Sequence, residues 1–389
     1  MSGTPHVLSV NTGSTSIKLG LYRFGSGGEE CRLEVVASGI GEPAGELHVG
    51  GGRDREAPAP FRAASHTEAL GGVLAILERR GLPAPDAIGH RLVHGGAAHR
   101  SPERITPQLL RDLEAAVPLA PLHLPPALQA IRAAAARFPA HPQVACFDTG
   151  FHRGLPELAQ RLPLPDTLWR EGVRRYGFHG LSCEYVVETL GEKARGRLII
   201  AHLGGGASLT AVRDGRPVDT SMSFTPAGGI MMGTRCGDLD PGVLLYLLRR
   251  GRSAAEVERV VEHESGLLGV SGRSADMATL LAAGGDRRAA LAVDLFAYQV
   301  RKRIGAYAAV LGGLDRLVFT GGIGEHAAPV RAAACRDLEF LGVRLDPARN
   351  ADGAGRISAD GAPCEVLVMA TDEDRMIARH THRLLSAAS

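Results

Sequence analysis

Residues 7–22, VLSVNTGSTSIKLGLY, bring together the groups that a phosphate chain needs. An apolar run, Val7 to Val10, leads into the small polar turn Asn11-Thr12-Gly13-Ser14-Thr15. A second strand then alternates, with Ile17, Leu19 and Leu21 on one face and Ser16, Lys18 and Gly20 on the other. If that strand starts near the turn, Ser14, Ser16 and Lys18 point the same way. Hydroxyls, open N–H groups and one cation on a single surface can hold phosphate oxygens without a helix N-terminus. The plain alternative is a surface hairpin with an incidental lysine. Composition weighs against it: only three of the 44 basic residues are lysine (Lys18, Lys193, Lys302), and Asn occurs only at 11 and 350. Lysine is a compact point charge that arginine does not freely replace at a phosphate.

The chain that must position this turn has 389 residues, enough for two or three domains. Its net charge of +2 gives no basis for a nucleic acid or an anionic membrane as partner, and 4% aromatics are too few for a base-stacking platform. Six cysteines (31, 146, 183, 236, 335, 364) are scattered with no CxxC, so neither a zinc site nor a disulfide framework is expected. The start has no basic leader, and no run of about 18 apolar residues occurs, so a cytoplasmic protein is expected.

Strands and helices alternate, which indicates an α/β protein. Residues 41–60, rich in Gly and Pro, read as an exposed loop. Helices are predicted from His66 to Arg80, after the Thr106-Pro107 cap, from Pro125 to Phe138 and from about Arg287 to Val310, with a last one from about Asp372. Strands are predicted from Ala87 to Val93, ending near Arg91, and from Gln143 to Phe147, ending at Asp148. Further on, Arg197–His202, the turn Leu203-Gly204-Gly205-Gly206-Ala207-Ser208 and Leu209–Arg213 repeat the first hairpin at an offset of 192, with Gly13 on Gly205 and Ser16 on Ser208. This suggests an internal duplication, with both turns gripping one phosphate chain. The strand Arg316–Thr320 runs into a turn, Gly321-Gly322-Ile323-Gly324, and Glu365–Met369 is the last strand.

Eleven segments in order, including SVNTGSTSIKLG, IGHRLVHGG, VACFDTGFHRGLP, RRYGFHGLS, AHLGGGASLTAV, PAGGIMMGTRCGDLDPG, VFTGGIGEH and TDEDRMIARHT, resemble the acetate kinase family, and the resemblance covers the whole chain. It implies two duplicated ribonuclease H-like domains of the actin-like ATPase kind around a nucleotide cleft. These would comprise residues 1–150 plus about 376–389, and residues 151–375 with the nucleotide site and a dimer interface. It further implies a homodimer and reversible, direct in-line transfer of a phosphoryl group from ATP to acetate, giving ADP and acetyl phosphate. The cofactor implied is Mg²⁺, for which Mn²⁺ can substitute.

Such a transfer asks for positioning and neutralised charge rather than covalent chemistry. The resemblance assigns Arg91 and Arg235 to substrate and transition-state binding, His179 to the transferring phosphoryl group, and Asp148 to the catalytic set as an acid that orders Mg²⁺. Glu373 and Asn11 are the metal residues it implies. Val93, Leu122, Phe178 and Pro226 match a small pocket for the acyl methyl group, with His123 a weaker member of the same surroundings. The nucleotide set comprises Ser14, Ser16, Lys18, His202, Leu203, Gly204, Gly205, Gly206, Gly321, Gly322, Ile323 and Gly324. Read alone, each apolar residue would be core, and each Arg or His more often structural. The chain departs from the family at Leu124, Gly205 and Asp372, where Asn is usual. Gly205 takes an amide from the phosphate wall, and Asp372 adds an acid beside Glu373. Three alternatives stand beside acetate kinase: a propionate kinase, a pyrophosphate-dependent enzyme and a non-catalytic nucleotide-binding switch.

Overall fold

The computed structural model describes residues 4–13, 15–51, 54–353 and 355–387, so Ser14 lies outside the described residues. The chain divides into two units, Met1–Arg153 with Asp372–Ser389, and Gly154–Thr371.

In the first unit, β1 (His6–Thr12) pairs antiparallel with β2 (Ser16–Gly25), β2 with β3 (Gly28–Ser38), and β3 with β4 (Gly45–Gly51). The short strands β5 (Asp54–Arg55) and β6 (Ala59–Phe61) both pair with β4. On its other edge β1 pairs parallel with β7 (Ala87–Leu92), and β7 parallel with β9 (Gln143–Phe147), beside which β8 (Glu103–Arg104) lies antiparallel. Residues 41–60, expected as a loop, thus carry strand. Two of their glycines serve close pairing: a Cβ on Gly45 would sit 2.2 Å from Ser38 O, and one on Gly51 2.5 Å from Arg32 O.

One sheet face buries Leu8, Val10, Ile17, Leu19, Leu21 and Val35 against Leu70, Val73 and Leu74 of the helix His66–Arg79, which Ser65 caps. Each such leucine contributes about 1.5–3 kcal/mol on burial. The opposite face takes the C-terminal helix Glu373–Ser386, whose Ala378 packs on Val7 and Tyr22. That helix comes so close to β7 that a Cβ on Gly89 would lie 2.2 Å from Thr381 Oγ1. Residues 372–375, expected in the second domain, therefore belong to the first. Asp372 accepts from Tyr22 OH (3.3 Å), Glu373 from Asn11 Nδ2 (3.2 Å) and Asp374 from Ser9 Oγ (3.4 Å).

In the second unit, β10 (Arg197–Leu203), β11 (Ala207–Arg213) and β12 (Arg216–Thr220) form an antiparallel meander. On its other edge β10 pairs parallel with β13 (Arg316–Thr320). Then β15 (Glu365–Val368) pairs parallel with β13 and antiparallel with β14 (Gly355–Arg356). The helix Arg287–Leu311, capped by Asp286 and closed by left-handed Gly312, buries Phe296, Val300 and Ile304. The segment Gly321–Gly324, expected as a turn, is the start of a short helix, Gly321–His326.

Both sheets thus contain three antiparallel strands followed by two parallel ones, in the orders β3-β2-β1-β7-β9 and β12-β11-β10-β13-β15. The duplication lies in topology, and the offset of 192 does not hold across the turns. Thr12 pairs with Ile17 but Leu203 with Ala207, so the second turn is one residue shorter. Ser208, opposite His202, consequently matches Lys18, opposite Asn11, rather than Ser16.

His90, on β7, is 1% exposed, with Nε2 2.6 Å from Gln143 Oε1 and a buried Nδ1 that has no partner. Burial lowers its pKa from 6.5 to about 4, against the opposing Gln143 bond. The unfolded chain takes up this proton before the native state does. The contribution is therefore full above pH 6.5 and is lost as pH falls toward 4, about 3 kcal/mol in all. His90→Gln, which keeps a donor to Gln143, should flatten the acid limb of stability between about pH 6.5 and 4.5 in denaturation experiments. Parallel curves for the two proteins would remove His90 as its source.

Candidate active site

The parallel strands of the first unit deliver three polar residues to one edge of its sheet. Asn11 lies near the end of β1, Arg91 near the end of β7 and Asp148 just beyond β9. Arg91 donates to Asp148 Oδ2 through Nε (3.0 Å) and Nη2 (2.5 Å), and through Nη1 to Asn11 Oδ1 (3.2 Å). Its Nε lies 3.8 Å from Glu373 Oε2, which also accepts from Asn11 Nδ2. Asp148 is fully buried, and burial pushes its carboxyl up to about 6 against the pull of Arg91, with Glu373 adding to the rise. The second oxygen, Oδ1, is buried without a hydrogen-bond partner.

An orphaned carboxylate oxygen beside a second carboxylate and an amide carbonyl is a donor set of oxygens alone, which suits a hard divalent cation. No cluster of three or more His, Cys, Asp or Glu placed for a metal occurs among the described residues. A metal here would keep waters, as magnesium does.

Lys18 is more committed than its sequence context suggested. Its ammonium contacts Glu34 (2.8 Å) and the buried Asp374 (2.9 Å). Burial would lower its pKa, but these carboxylates raise it above the ordinary lysine value. Asp372, expected to make the region more acidic, is matched by Arg375 at 2.9 Å and caps the terminal helix. Val93 is buried and Leu122 half-buried in this unit, and Leu124 is fully buried at the start of the helix Leu124–Arg137.

In the second unit, His179 precedes the helix Gly180–Leu190 with φ of 58°, a left-handed conformation rare outside glycine and often retained at functional sites. Its Nδ1 lies 3.0 Å from Ser208 Oγ, and its ring stacks on His202 at 4.2 Å. His202 is fixed in turn by Ser182 Oγ, 2.8 Å from its Nδ1. Nε2 of His179 faces the glycine turn: a Cβ on Gly206 would lie 3.2 Å from it and 3.7 Å from Arg235 Nη1. Arg235 Nη1 donates to the carbonyl of Pro226 at 2.9 Å, while Phe178 is buried.

Backbone contacts join the remaining pieces. Gly233 N–H donates to Gly205 O (3.1 Å), and a Cβ on Gly321 would meet Leu203 O at 2.8 Å. The second unit thus brings His179, His202, Gly204–Gly206, Arg235 and Gly321–Gly324 together, and the first unit Asn11, Arg91, Asp148 and Glu373. Sequence reasoning missed Ser182, which orients a site histidine, and Asp374, which anchors Lys18. Buried serines and acids carry no distinctive spacing. Ser208, singled out only through the repeat, orients the other histidine.

A model of the acetokinase family matches residues 6–379. The chain belongs to that family. It is 46% identical over 392 aligned residues to the acetate kinase of Rhodopseudomonas palustris, covering 97% of this chain and 98% of that one. The fold is similar to the crystal structure of Porphyromonas gingivalis acetate kinase, with a TM-score of 0.86, 38% identity and coverage of 98% of this chain and 100% of that one. A propionate kinase from Francisella tularensis superposes with a TM-score of 0.90 at 35% identity, over 97% and 99% of the two chains. The fold is that of the actin-like ATPases.

Removing one partner of the Arg91–Asp148 pair leaves a buried charge alone. Arg91→Ala should cost about 3–5 kcal/mol of stability in chemical denaturation. The double variant Arg91→Ala/Asp148→Asn should recover at least about 1 kcal/mol of it, because the stranded charge is gone. Equal losses in the single and double variants would show that the pair does not hold this edge together.

Proposed function

We propose that this protein is an acetate kinase, a carboxyl-group phosphotransferase that reversibly moves the γ-phosphoryl group of ATP to acetate. The observation that carries the reading is the convergence of His179 Nε2 and Arg235 Nη1 on Gly206, within the glycine-rich strand turn. That is two donors aimed at one small-residue surface, as the charge of a transferring phosphoryl group requires. Acetate is ionised near neutral pH, so the attacking oxygen has no proton to lose and no general base is needed. In this reading Arg91 holds the carboxylate, Val93, Leu122, Phe178 and Pro226 limit the acyl tail, and His179 and Arg235 stabilise the phosphoryl group in flight.

Asn11, Asp148 and Glu373 would hold Mg²⁺, or Mn²⁺ in its place, together with waters. That ion would neutralise phosphate charge. The nucleotide is assigned to Ser16, Lys18, His202, Leu203, Gly204–Gly206 and Gly321–Gly324. For Lys18 this requires the half-exposed Glu34 to give way while buried Asp374 keeps the ammonium in place. Gly205 is open, with no atom within 4 Å of a Cβ built there, so its missing amide has no steric cause.

Hydroxamate trapping of the acyl phosphate, with acetate, propionate and butyrate against ATP and pyrophosphate, tests the reading. Acetate with ATP and a divalent metal should give the highest kcat/KM, and a preference for propionate or pyrophosphate would replace it. Arg235→Ala should lower kcat by about two to three orders of magnitude while circular dichroism stays unchanged. Gly206→Ala, which crowds His179 Nε2, should lower kcat about tenfold or more. Wild-type turnover in both would remove the pair from the reaction.

The same reading includes a homodimer and a cytoplasmic location, where ATP is supplied. Among the described residues no helix is long and apolar enough to cross a membrane. The dimer is supported by the helix Pro241–Arg249, PGVLLYLLR, which buries none of its residues. Val243, Leu245, Tyr246 and Leu248 are 41–59% exposed, an apolar patch of the kind that partners cover. Leu245→Lys/Tyr246→Lys should shift the protein from dimer to monomer in analytical ultracentrifugation. A dimer that persists at micromolar concentration would move the interface elsewhere.

A further inference from the structure

Asn350 is one of only two asparagines in the chain, and the proposed chemistry uses the other. It sits in the helix Pro347–Asp352, 6% exposed, against Arg331 of the helix Ala328–Cys335. Arg331 is 1% exposed and heads the fully buried side chains in volume. Its Nε donates to Asn350 Oδ1 (2.9 Å) and its Nη2 to Asn350 O (2.5 Å). Its Nη1 donates to the carbonyls of Gly324 and Glu325, both at 2.9 Å. Asn350 Nδ2 donates to Ala328 O (3.0 Å), which leaves its oxygen turned toward the guanidinium. All four acceptors are neutral.

A guanidinium buried among neutral acceptors is costly, and an apolar side chain would fill the same volume more cheaply. What an apolar side chain cannot do is hold main-chain carbonyls. The two that Arg331 holds belong to the short helix Gly321–His326, near the C-terminal end where carbonyls lack intrahelical donors and favour a cation. The other end is held as well, since Gly321 N–H donates to Glu325 Oε1 at 3.0 Å. Gly321 itself has φ of 77°, with Leu203 O where a Cβ would go. The backbone of residues 321–324 is thus tied at both ends and pressed against the end of β10.

We propose that Arg331, oriented by Asn350, is a positioning residue for the nucleotide: buried behind the Gly321–Gly324 backbone, it fixes the main chain that the adenosine contacts. The inference rests on the nucleotide role assigned to those glycines above.

The test is steady-state kinetics on full-length Arg331→Lys, Arg331→Met and Asn350→Asp, with thermal melts with and without ADP. Lysine keeps the charge but cannot fork to four acceptors. Both Arg331 variants should raise KM for ATP by about fivefold to tenfold, with KM for acetate and kcat within about threefold of wild type. The Tm gain given by a fixed ADP concentration should shrink in parallel. Asn350→Asp, which keeps an acceptor on Nε, should retain a KM for ATP within about twofold of wild type. Unchanged KM values in folded Arg331 variants would overturn the proposal, as would losses shared equally by both substrates. If neither Arg331 variant folds, Asn350→Ala decides, because it leaves the guanidinium and its three main-chain acceptors in place while removing its side-chain acceptor and the bond to Ala328 O. A raised KM for ATP supports the proposal, and an unchanged one overturns it. A wild-type protein that binds ADP without forming acyl phosphate would refute the acetate kinase reading alone, and the ADP-dependent Tm of the variants would still report on Arg331.

Discussion

Parallel strand pairing is the constraint on which each unit depends. Because β1, β7 and β9 run in the same direction, their ends bring Asn11, Arg91 and Asp148 to one edge of the sheet. The same arrangement in the second unit aligns the end of β10, where His202 and the glycine turn lie, with the end of β13, where Gly321 follows. Residues as far apart in sequence as His202 and Thr320 become neighbours through this register. Ligands in open α/β sheets gather at the carboxyl ends of such strands for this reason.

The first unit gathers charge at that edge, and the terminal helix completes it. Asp148 is buried beyond the reach of bulk water and Arg91 is its cation, while Asn11 bridges Arg91 to Glu373. Glu373 reaches this position because Asp372 caps the helix and Asp374 is pinned by Lys18 and Ser9. Each of the three consecutive acids therefore has a different partner. A buried pair of this kind gives little net stability and much definition of geometry.

The second unit solves a different problem, holding main chain rather than charge. His179 is oriented by Ser208, His202 by Ser182, and the glycine turns by hydrogen bonds from Gly233 and to Glu325. Glycine is required where backbones approach too closely for a Cβ, as at Gly321 against Leu203. At Gly205 no such approach exists, so packing does not require glycine there.

The sequence by itself determined the alternation of strands and helices, the hairpin at each glycine or serine turn, and the family. These follow from local periodicity, caps and ordered motifs, which are properties of neighbouring residues. It also pointed to Arg91, Asp148, His179 and Arg235, through motif identity rather than spacing. Tertiary structure decided what those residues touch. The β4–β6 strands were hidden under Gly and Pro, because two of their glycines serve close pairing. The shorter second turn, which aligns Ser208 with Lys18, appears only in the registers. The allocation of Asp372, Glu373 and Asp374 to the first unit depends on bonds to Tyr22, Asn11 and Ser9 more than 300 positions away. The burial of Arg331 among carbonyls likewise has no signature in the chain. Such partnerships are long-range, and a one-dimensional pattern encodes only what repeats within a few residues.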